Sequence, residues 1–227
     1  MPTLLLQLIG PMQSWGVQSN FTNRDTGLEP SKSGVVGLLC AALGRDRSES
    51  IQDLAALPMG VRVDREGLVK KDYHTAKNVM KAGGGKPKET ELSDRFYLAD
   101  AAFLVGLESD DVALLAKLSD ALLHPVWPLC LGRKAFVPGE SIWIGDVRGK
   151  LDGIRHAPLH EALEQHPRLR NKRAFEDDRM RLMIEDEDGD IVRPDQPISF
   201  AKEARQFTVR RLKVDFVSLE TQLKEAS

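Results

Sequence analysis

An unbroken apolar run near the start of the chain, Thr3–Ile9, constrains the fold of these 227 residues more than any other segment. A strand that is apolar on both faces belongs inside a sheet that is covered on both sides. Gly10 and Pro11 follow directly and end the strand. Ala101–Leu107 has the same character, so the sequence predicts two strands in the middle of a sheet.

Helix-type segments alternate with these strands. Apolar residues at helical spacing predict helices at Val35–Gly44 and Asp110–Leu123, and an alternating pattern predicts an edge strand at Val61–Asp64. This order is that of a split β-α-β unit, so we expect an α+β fold with a ferredoxin-like or RNA-recognition-type domain. Its final strand is expected within Trp127–Leu131 or Ser141–Ile144. The aromatic signature of common RNA-recognition domains does not occur, which argues against base stacking on the open sheet.

The start of the first helix, residues 30–34 (PSKSG), has the chemistry of an anion site. Ser31 or Ser33 can cap free amides of the first turn, and the Lys32 ammonium adds to the positive end of the helix dipole. An ordinary capped helix is equally compatible with this segment. A nucleotide-binding P-loop fits poorly, because Ser31 and Thr26 stand where its two glycines belong.

A basic, glycine-rich segment precedes the second apolar strand. Lys70–Arg95 contains seven basic and four acidic residues, a net balance of +3, around a triple glycine. The pattern predicts a long β-hairpin at about residues 68–100 with a mobile tip. Its side chains Tyr73, His74 and Lys77 suit contact with nucleic acid, although a solvated surface loop is the alternative.

Two other motifs contain candidate contacts to a nucleic acid. Gln13, Ser14 and Trp15 follow the first strand, where a Trp can stack on a base and a Gln can hydrogen-bond to it. A loop Trp that merely covers the edge of a core is the more common case. Arg133 and Lys134 place two cations beside a glycine, which suits contact with backbone phosphates.

The overall composition limits the possible functions. The formal net charge is −2, so a nucleic-acid site has to be a local patch. No segment approaches the roughly 20 apolar residues of a membrane span, and the first residues lack a basic leader region, so a cytoplasmic protein is expected. Cys40 and Cys130 are too few for a disulfide framework or a zinc site. We expect no cofactor and no metal.

The C-terminal third, residues 146–227, differs in character from residues 1–145, and we expect it to form a small strand-rich part. The acidic run Glu185–Asp190 is most simply a hairpin turn, because it lacks the residue order of a calcium-binding loop. Gln206–Val217 alternates with one slip at Arg210 and Arg211, which predicts a strand with a bulge at those residues.

Four motifs in order, residues 10–16 (GPMQSWG), 30–39 (PSKSGVVGLL), 72–75 (DYHT) and 131–134 (LGRK), resemble the CasD family of the RAMP superfamily. Members of that family are subunits of Cascade, the type I-E CRISPR surveillance complex. The resemblance covers most of residues 1–145. It implies a ferredoxin-like domain with an inserted β-hairpin thumb, and a smaller C-terminal part.

The resemblance also implies a function and partners. Proteins of this family grip the 5′ handle of the crRNA and cap one end of the complex, where they touch a backbone subunit and the large PAM-reading subunit. Carried over by position, the handle-contacting candidates are Gln13, Ser14, Trp15, Ser31, Lys32, Ser33, Arg133 and Lys134. The candidate RNA-binding set also includes Arg24 from the polar loop, Gly34 from the helix start, and Tyr73, His74 and Lys77 from the hairpin.

An endoribonuclease that processes precursor crRNA is the alternative function, since a relative in another subtype cuts its own precursor. A metal-independent ribonuclease needs a base, an acid and a cation near the phosphate, and Tyr73, His74 and Lys77 are of suitable types. Adjacent strand residues point to opposite faces, however, so Tyr73 and His74 would not share a site in a regular strand. A binding subunit that is not an enzyme is therefore the expectation.

Overall fold

The computed structural model describes residues 1–16, 23–80, 83–145, 152–170 and 179–218. In these residues the chain is a mixed helix and strand fold built on a seven-stranded antiparallel sheet. In chain order the elements are β1 (Thr3–Ile9), β2 (Met12–Gln13), β3 (Asn23–Arg24), α1 (Lys32–Leu43), α2 (Gln52–Ala55), β4 (Met59–Arg65), β5 (Leu68–Val79), β6 (Lys88–Ala99), β7 (Ala102–Glu108), α3 (Val112–Leu123), β8 (Ile154–Arg155), α4 (Leu159–Gln165), β9 (Arg179–Glu185), β10 (Ile191–Ser199) and β11 (Gln206–Ser218). The main sheet has the strand order β10-β11-β9-β4-β7-β1-β8.

Strands β1 and β7 lie in the interior of the sheet, as their apolar sequences predict. They pair in continuous antiparallel register along the whole of β1. Leu4 and Leu6 point into a core shared with α1 and α3, whereas Leu5 points into a second core under α4. All three leucines have 0% exposure, so both faces of β1 are covered.

Two glycines on neighbouring strands allow α4 to pack closely on the second face of the sheet. Gly60 on β4 is the register partner of Gly106 on β7. A Cβ atom at Gly60 would lie 2.6 Å from Cδ1 of Leu163, and one at Gly106 would lie 2.6 Å from Cδ1 of Leu159. The α4 leucines therefore rest directly on the sheet backbone.

The side chain of Arg62 fixes the end of α4 from inside the sheet. It is fully buried and forms a bidentate ion pair with Asp64, with nitrogen to oxygen distances of 2.7 and 2.9 Å. Its remaining donors reach the carbonyl oxygens of Leu163, His166 and Pro167. A buried guanidinium is tolerated here because its donors are paired.

The C-terminal strands extend the same sheet. β9 pairs with β4, so β4 lies inside the sheet, and the prediction of an edge strand at Val61–Asp64 is wrong. Residues 186–190, four of which are acidic, form the turn to β10, as the sequence predicts. Residues 146–151, which include the predicted boundary between residues 145 and 146, lie outside the described residues. The division into two parts stays a prediction.

The final strand of the predicted split β-α-β unit lies later in the sequence than either predicted segment. Trp127–Leu131 contains no strand residue. Trp143, in the second candidate segment, forms a single bridge with Leu6. The paired strand beside β1 is β8, in which Arg155 lies opposite Thr3.

The predicted bulge is in β10 instead of at residues 210–211 of β11. After the Arg193–Arg210 pair, the register shifts by one residue, so β10 has one residue more than β11 before the next pair. Asp195 lies in this irregular stretch and points toward the start of α1. A strand pattern read from sequence alone does not show which of two paired strands contains the extra residue.

The basic glycine-rich segment forms a long antiparallel hairpin outside the main sheet. β5 and β6 pair from Leu68 opposite Ala99 to Val79 opposite Lys88. On its other side β6 pairs with β2 and β3, which attach the hairpin to the rest of the fold. Residues 81–82 of the predicted tip lie outside the described residues.

Across the described residues, no helix is both long enough and apolar enough to cross a membrane.

Candidate nucleic-acid interface

The start of α1, which the sequence predicts to face an anion, is occupied by carboxylates of the protein itself. The amide of Lys32 donates to Asp195 Oδ2 at 2.8 Å, and its Nζ lies 2.8 Å from Glu185 Oε2. Arg210 joins these two carboxylates, with a bidentate contact to Asp195 and a third contact to Glu185. We call Lys32, Glu185, Asp195 and Arg210 the buried charge network.

The buried charge network changes the interpretation of Lys32. Its exposure is 2%, and burial lowers the pKa of its ammonium, although the charge of Glu185 opposes this effect. The Ser31 hydroxyl accepts from the amide of Gly34, so Ser31 caps the helix as predicted. In this structure the Lys32 charge is neutralised by the protein, and the expectation that it faces a ligand is not met.

The Gln13 side chain is also committed to the interior. It is fully buried and donates to the carbonyl oxygens of Leu8 and Ala101, both at 2.9 Å. Its Oε1 accepts from Nε1 of Trp15, which is 1% exposed. Gln13 thus joins the end of β1 to the start of β7, and Trp15 covers the core, the more common alternative for a loop Trp.

Trp15 packs against the start of α1 at a position that requires glycine. A Cβ at Gly34 would lie 2.8 Å from Cε3 of Trp15. Ser33 is half-buried, and its hydroxyl lies 3.5 Å from that of Ser31. The motif at residues 10–16 therefore packs against the motif at residues 30–39.

The Leu131–Lys134 loop packs against the Gln13–Trp15 motif. Ser14 donates its amide to the carbonyl of Leu131 at 3.1 Å. Gly132 has φ of +89°, and a Cβ there would lie 1.8 Å from the carbonyl oxygen of Ser14. Only glycine fits this contact. Three motifs that are far apart in sequence are thereby brought together, and Arg133 is placed beside the hairpin base.

Arg24, Arg95 and Arg133 converge at the base of the hairpin, and we call them the arginine cluster. Arg24 on β3 is the register partner of Arg95 on β6. Nη2 of Arg133 donates to the carbonyl oxygen of Arg24 at 3.1 Å. Among the described residues, none of the three guanidinium groups forms an ion pair with a carboxylate at 4.0 Å or less.

The electrostatics of the arginine cluster favour an added anion. Burial lowers the pKa of Arg133, and the charges of Arg95 and Arg24 lower it further, while Asp72 and Asp25 partly compensate. Three neighbouring cations repel one another, and a phosphate oxygen relieves that repulsion while accepting several charge-assisted hydrogen bonds. The exposed ammonium of Lys134 lies in the same loop as Arg133.

Sequence reasoning named Arg24 and Arg133 but missed Arg95. The alternation of β6 places Arg95 on the same face as Tyr97, which was a usable signal. The pairing of β3 with β6 was not visible in the sequence, because parallel pairing of two residues with a distant strand leaves no local pattern.

The hairpin places the side chains that a ribonuclease would need on different faces. Tyr73 is opposite Asp94 and Lys77 is opposite Thr90, so both lie on one face of the hairpin. His74 lies on the other face, and its Nδ1 is 3.9 Å from Asp72. Tyr73, His74 and Lys77 are all exposed.

Within the described residues, no group of three or more His, Cys, Asp or Glu side chains is arranged to hold a metal ion.

Comparisons with known proteins identify the family. The model of the family described as "CRISPR-associated protein (Cas_Cas5)" matches residues 3–213. The "CRISPR system Cascade subunit CasD" of Escherichia coli (strain K12) is 35% identical over 158 residues, which are 63% of this chain and 70% of that protein.

Two solved structures resemble the whole fold. One, titled "Crystal structure of Cas protein", is 43% identical with a TM-score of 0.76 and covers 96% of both chains. The other, titled "CRISPR RNA-guided surveillance complex", is 34% identical with a TM-score of 0.80 and covers 95% of this chain and 90% of that chain. Sequence and fold agree along nearly the whole chain, which therefore belongs to the Cas5 family of CRISPR-associated proteins.

Proposed function

We propose that this protein is the subunit of a CRISPR surveillance complex that holds the 5′ handle of the crRNA, and that it does not cleave RNA. The observation that carries the proposal is the arginine cluster, three guanidinium groups at the hairpin base with no ion-paired carboxylate among the described residues. Similarity to a Cascade subunit supports the same function.

The fold suits this function. The strand order β4-β7-β1-β8 with α1 and α3 on one face supports a ferredoxin-like domain, and the β5–β6 hairpin inserted between β4 and β7 supports the assignment of a thumb. The hairpin projects exposed side chains of both charge signs together with Tyr73. Such a projection can close over an RNA strand bound at its base.

The candidate contacts divide into two groups with different roles. Direct contacts to RNA are proposed for the exposed or half-exposed side chains Arg24, Arg95, Arg133, Lys134, Tyr73, His74 and Lys77. A supporting role is proposed for the residues that pack or pair inside the fold, namely Gln13, Ser14, Trp15, Ser31, Lys32, Ser33 and Gly34. Phosphate contacts from the first group fix the position of the RNA without reading its sequence.

The partners we propose are the crRNA, a backbone subunit and the large PAM-reading subunit. An isolated chain with a net charge of −2 is poorly suited to bind long RNA alone, so protein neighbours have to share the crRNA. Holding one short segment at a local basic patch is consistent with that division of contacts.

Binding of handle RNA by the purified chain tests the proposal. Fluorescence anisotropy with a labelled single-stranded RNA of the handle sequence gives the dissociation constant over a series of salt concentrations. Arg133→Ala should weaken binding about tenfold and reduce the salt slope by about 0.7, the contribution of one phosphate contact on a single strand. Arg24→Ala should behave similarly.

Arg47→Ala is the matched control, because Arg47 is an exposed arginine outside the cluster. It should leave the affinity and the salt slope nearly unchanged. If Arg24→Ala and Arg133→Ala also bind the handle RNA with unchanged affinity and slope, the arginine cluster is not the RNA site and the proposal fails.

A further inference from the structure

We propose that Phe136 is a positioning residue of the RNA site, which fixes the Arg133 guanidinium within the arginine cluster and links it to the hairpin. The inference rests on the proposed function of the cluster and adds a residue that lies outside the motifs at residues 10–16, 30–39, 72–75 and 131–134. Phe136 itself is 9% exposed and is not expected to touch RNA.

The ring of Phe136 lies directly beneath Arg133. The Arg133 Cζ atom is 5.5 Å from the ring centroid, within the range of a cation–π contact. A tight turn holds the two residues in this arrangement, since the amide of Phe136 donates to the carbonyl of Arg133 at 2.9 Å. The amide of Leu131 donates to the carbonyl of Phe136 at 2.8 Å and closes the loop.

The same ring contacts the hairpin. Its centroid is 5.9 Å from that of Tyr97, with an angle of 55° between the ring planes. Tyr97 lies two residues after Arg95 on β6, so these two side chains project from the same face of the strand. One aromatic ring thus contacts both the guanidinium of Arg133 and Tyr97 on the strand that bears Arg95.

Restraint is useful here because the three cations repel one another. An arginine side chain has many rotamers, and repulsion by Arg24 and Arg95 favours those that point away from the cluster. The ring of Phe136 on one side and the carbonyl of Arg24 on the other oppose that tendency. A guanidinium held in place before RNA arrives loses less entropy on binding.

A double-mutant cycle tests the inference with the same handle RNA and anisotropy measurement. Phe136→Leu keeps an apolar side chain but removes the aromatic face, and it should weaken binding about threefold to fivefold. In the Arg133→Ala background the same change should have almost no further effect, because the side chain that it positions is gone. Phe136→Tyr keeps the ring and should retain most of the affinity.

A general structural effect of Phe136→Leu would persist in the Arg133→Ala background, and that result would overturn the inference. Unchanged binding by a folded Phe136→Leu variant would overturn it as well. If Phe136→Leu does not fold, Tyr97→Leu tests the link from the hairpin side and should show the same dependence on Arg133. If Arg133→Ala itself has no effect on RNA binding, the proposed function fails instead, so the two failures are distinguishable.

Discussion

The backbone amide of Lys32, the first residue of α1, donates a 2.8 Å hydrogen bond to the carboxylate of Asp195 in the irregular part of β10. The start of α1 is therefore an anion site, as the sequence indicates, but the anion is part of the protein. The site stabilises the fold, whereas within the described part of the chain the guanidinium groups of the arginine cluster have no ion-paired carboxylate.

Removing the charge of Asp195 should destabilise the protein. Asp195→Asn leaves Arg210 with one carboxylate partner in a buried location, and removal of one member of a buried ion pair costs about 3 kcal/mol. Urea unfolding followed by circular dichroism measures this difference. Glu187→Gln changes an exposed acid nearby and should alter the free energy of unfolding by less than about 0.5 kcal/mol. Equal effects of the two substitutions would contradict a stabilising role for the buried charge network.

Lys32 should make stability rise with pH in the alkaline range. Its pKa in the folded protein is lowered by burial, whereas the unfolded chain retains the ordinary value of 10.5. Between these two values the unfolded chain binds a proton that the folded chain has released, so raising the pH favours the folded state. The free energy of unfolding of the native protein minus that of Lys32→Met should therefore increase across this window. A constant difference would show that Lys32 does not titrate abnormally.

Lys32→Met should also leave the salt dependence of RNA binding unchanged. The Lys32 ammonium is paired with Glu185 and has almost no exposed surface, so it releases no counterion from RNA. The measurement is the salt slope with handle RNA, compared with that of Arg133→Ala. A slope reduced as much as in Arg133→Ala would mean that Lys32 leaves Glu185 and contacts RNA in the complex.

Gly132→Ala should be strongly destabilising, because the new methyl group would meet the carbonyl of Ser14 and the backbone has a positive φ. We expect a loss of about 3 kcal/mol or more in the free energy of unfolding. Gly37→Ala is the control, since a Cβ at Gly37 has no neighbouring atom within 4 Å. It lies inside α1 and should instead stabilise the protein by about 0.5 to 1 kcal/mol. A Gly132→Ala variant as stable as the native protein would show that the loop can move away from Ser14.

The purified protein should not cut precursor RNA. Tyr73 and His74 lie on opposite faces of β5, so they do not form a common acid and base pair on one phosphate. The assay incubates the protein with repeat-containing RNA, with and without divalent metal ions, and separates the products on a gel. Site-specific cleavage that is lost in His74→Ala would establish the endoribonuclease instead.

Local patterns in the sequence were sufficient for most of the elements. The apolar runs predicted β1 and β7, and the basic segment around Gly83–Gly85 predicted a hairpin where β5 and β6 pair. These elements depend mainly on neighbours in sequence, which is why alternation and turn residues identify them. β8 was harder to predict from the sequence, because a strand of two residues has almost no alternating pattern.

The site was predicted less completely because its chemistry depends on distant residues. The start of α1 shows free amides and a lysine, but no nearby residue indicates that Glu185 and Asp195 neutralise them. Gln13 has the chemistry to bind a base, yet two carbonyl groups and Trp15 occupy its amide. The sequence thus shows which side chains could bind an anion or a base, whereas the partners of those side chains are visible only in the fold.

The hydrogen bond between Lys32 and Asp195 also bears on folding during synthesis, because the two residues are 163 positions apart and the bond can form only after β10 has been made. Domains generally form from the N-terminus as the ribosome extends the chain, and contacts of such long range form late. Until β9 and β10 have left the ribosome, the Lys32 ammonium lacks the carboxylate of Glu185 and the start of α1 lacks that of Asp195. A nascent chain that stops before β9 therefore has an uncompensated cation and an unpaired amide at the start of its first helix.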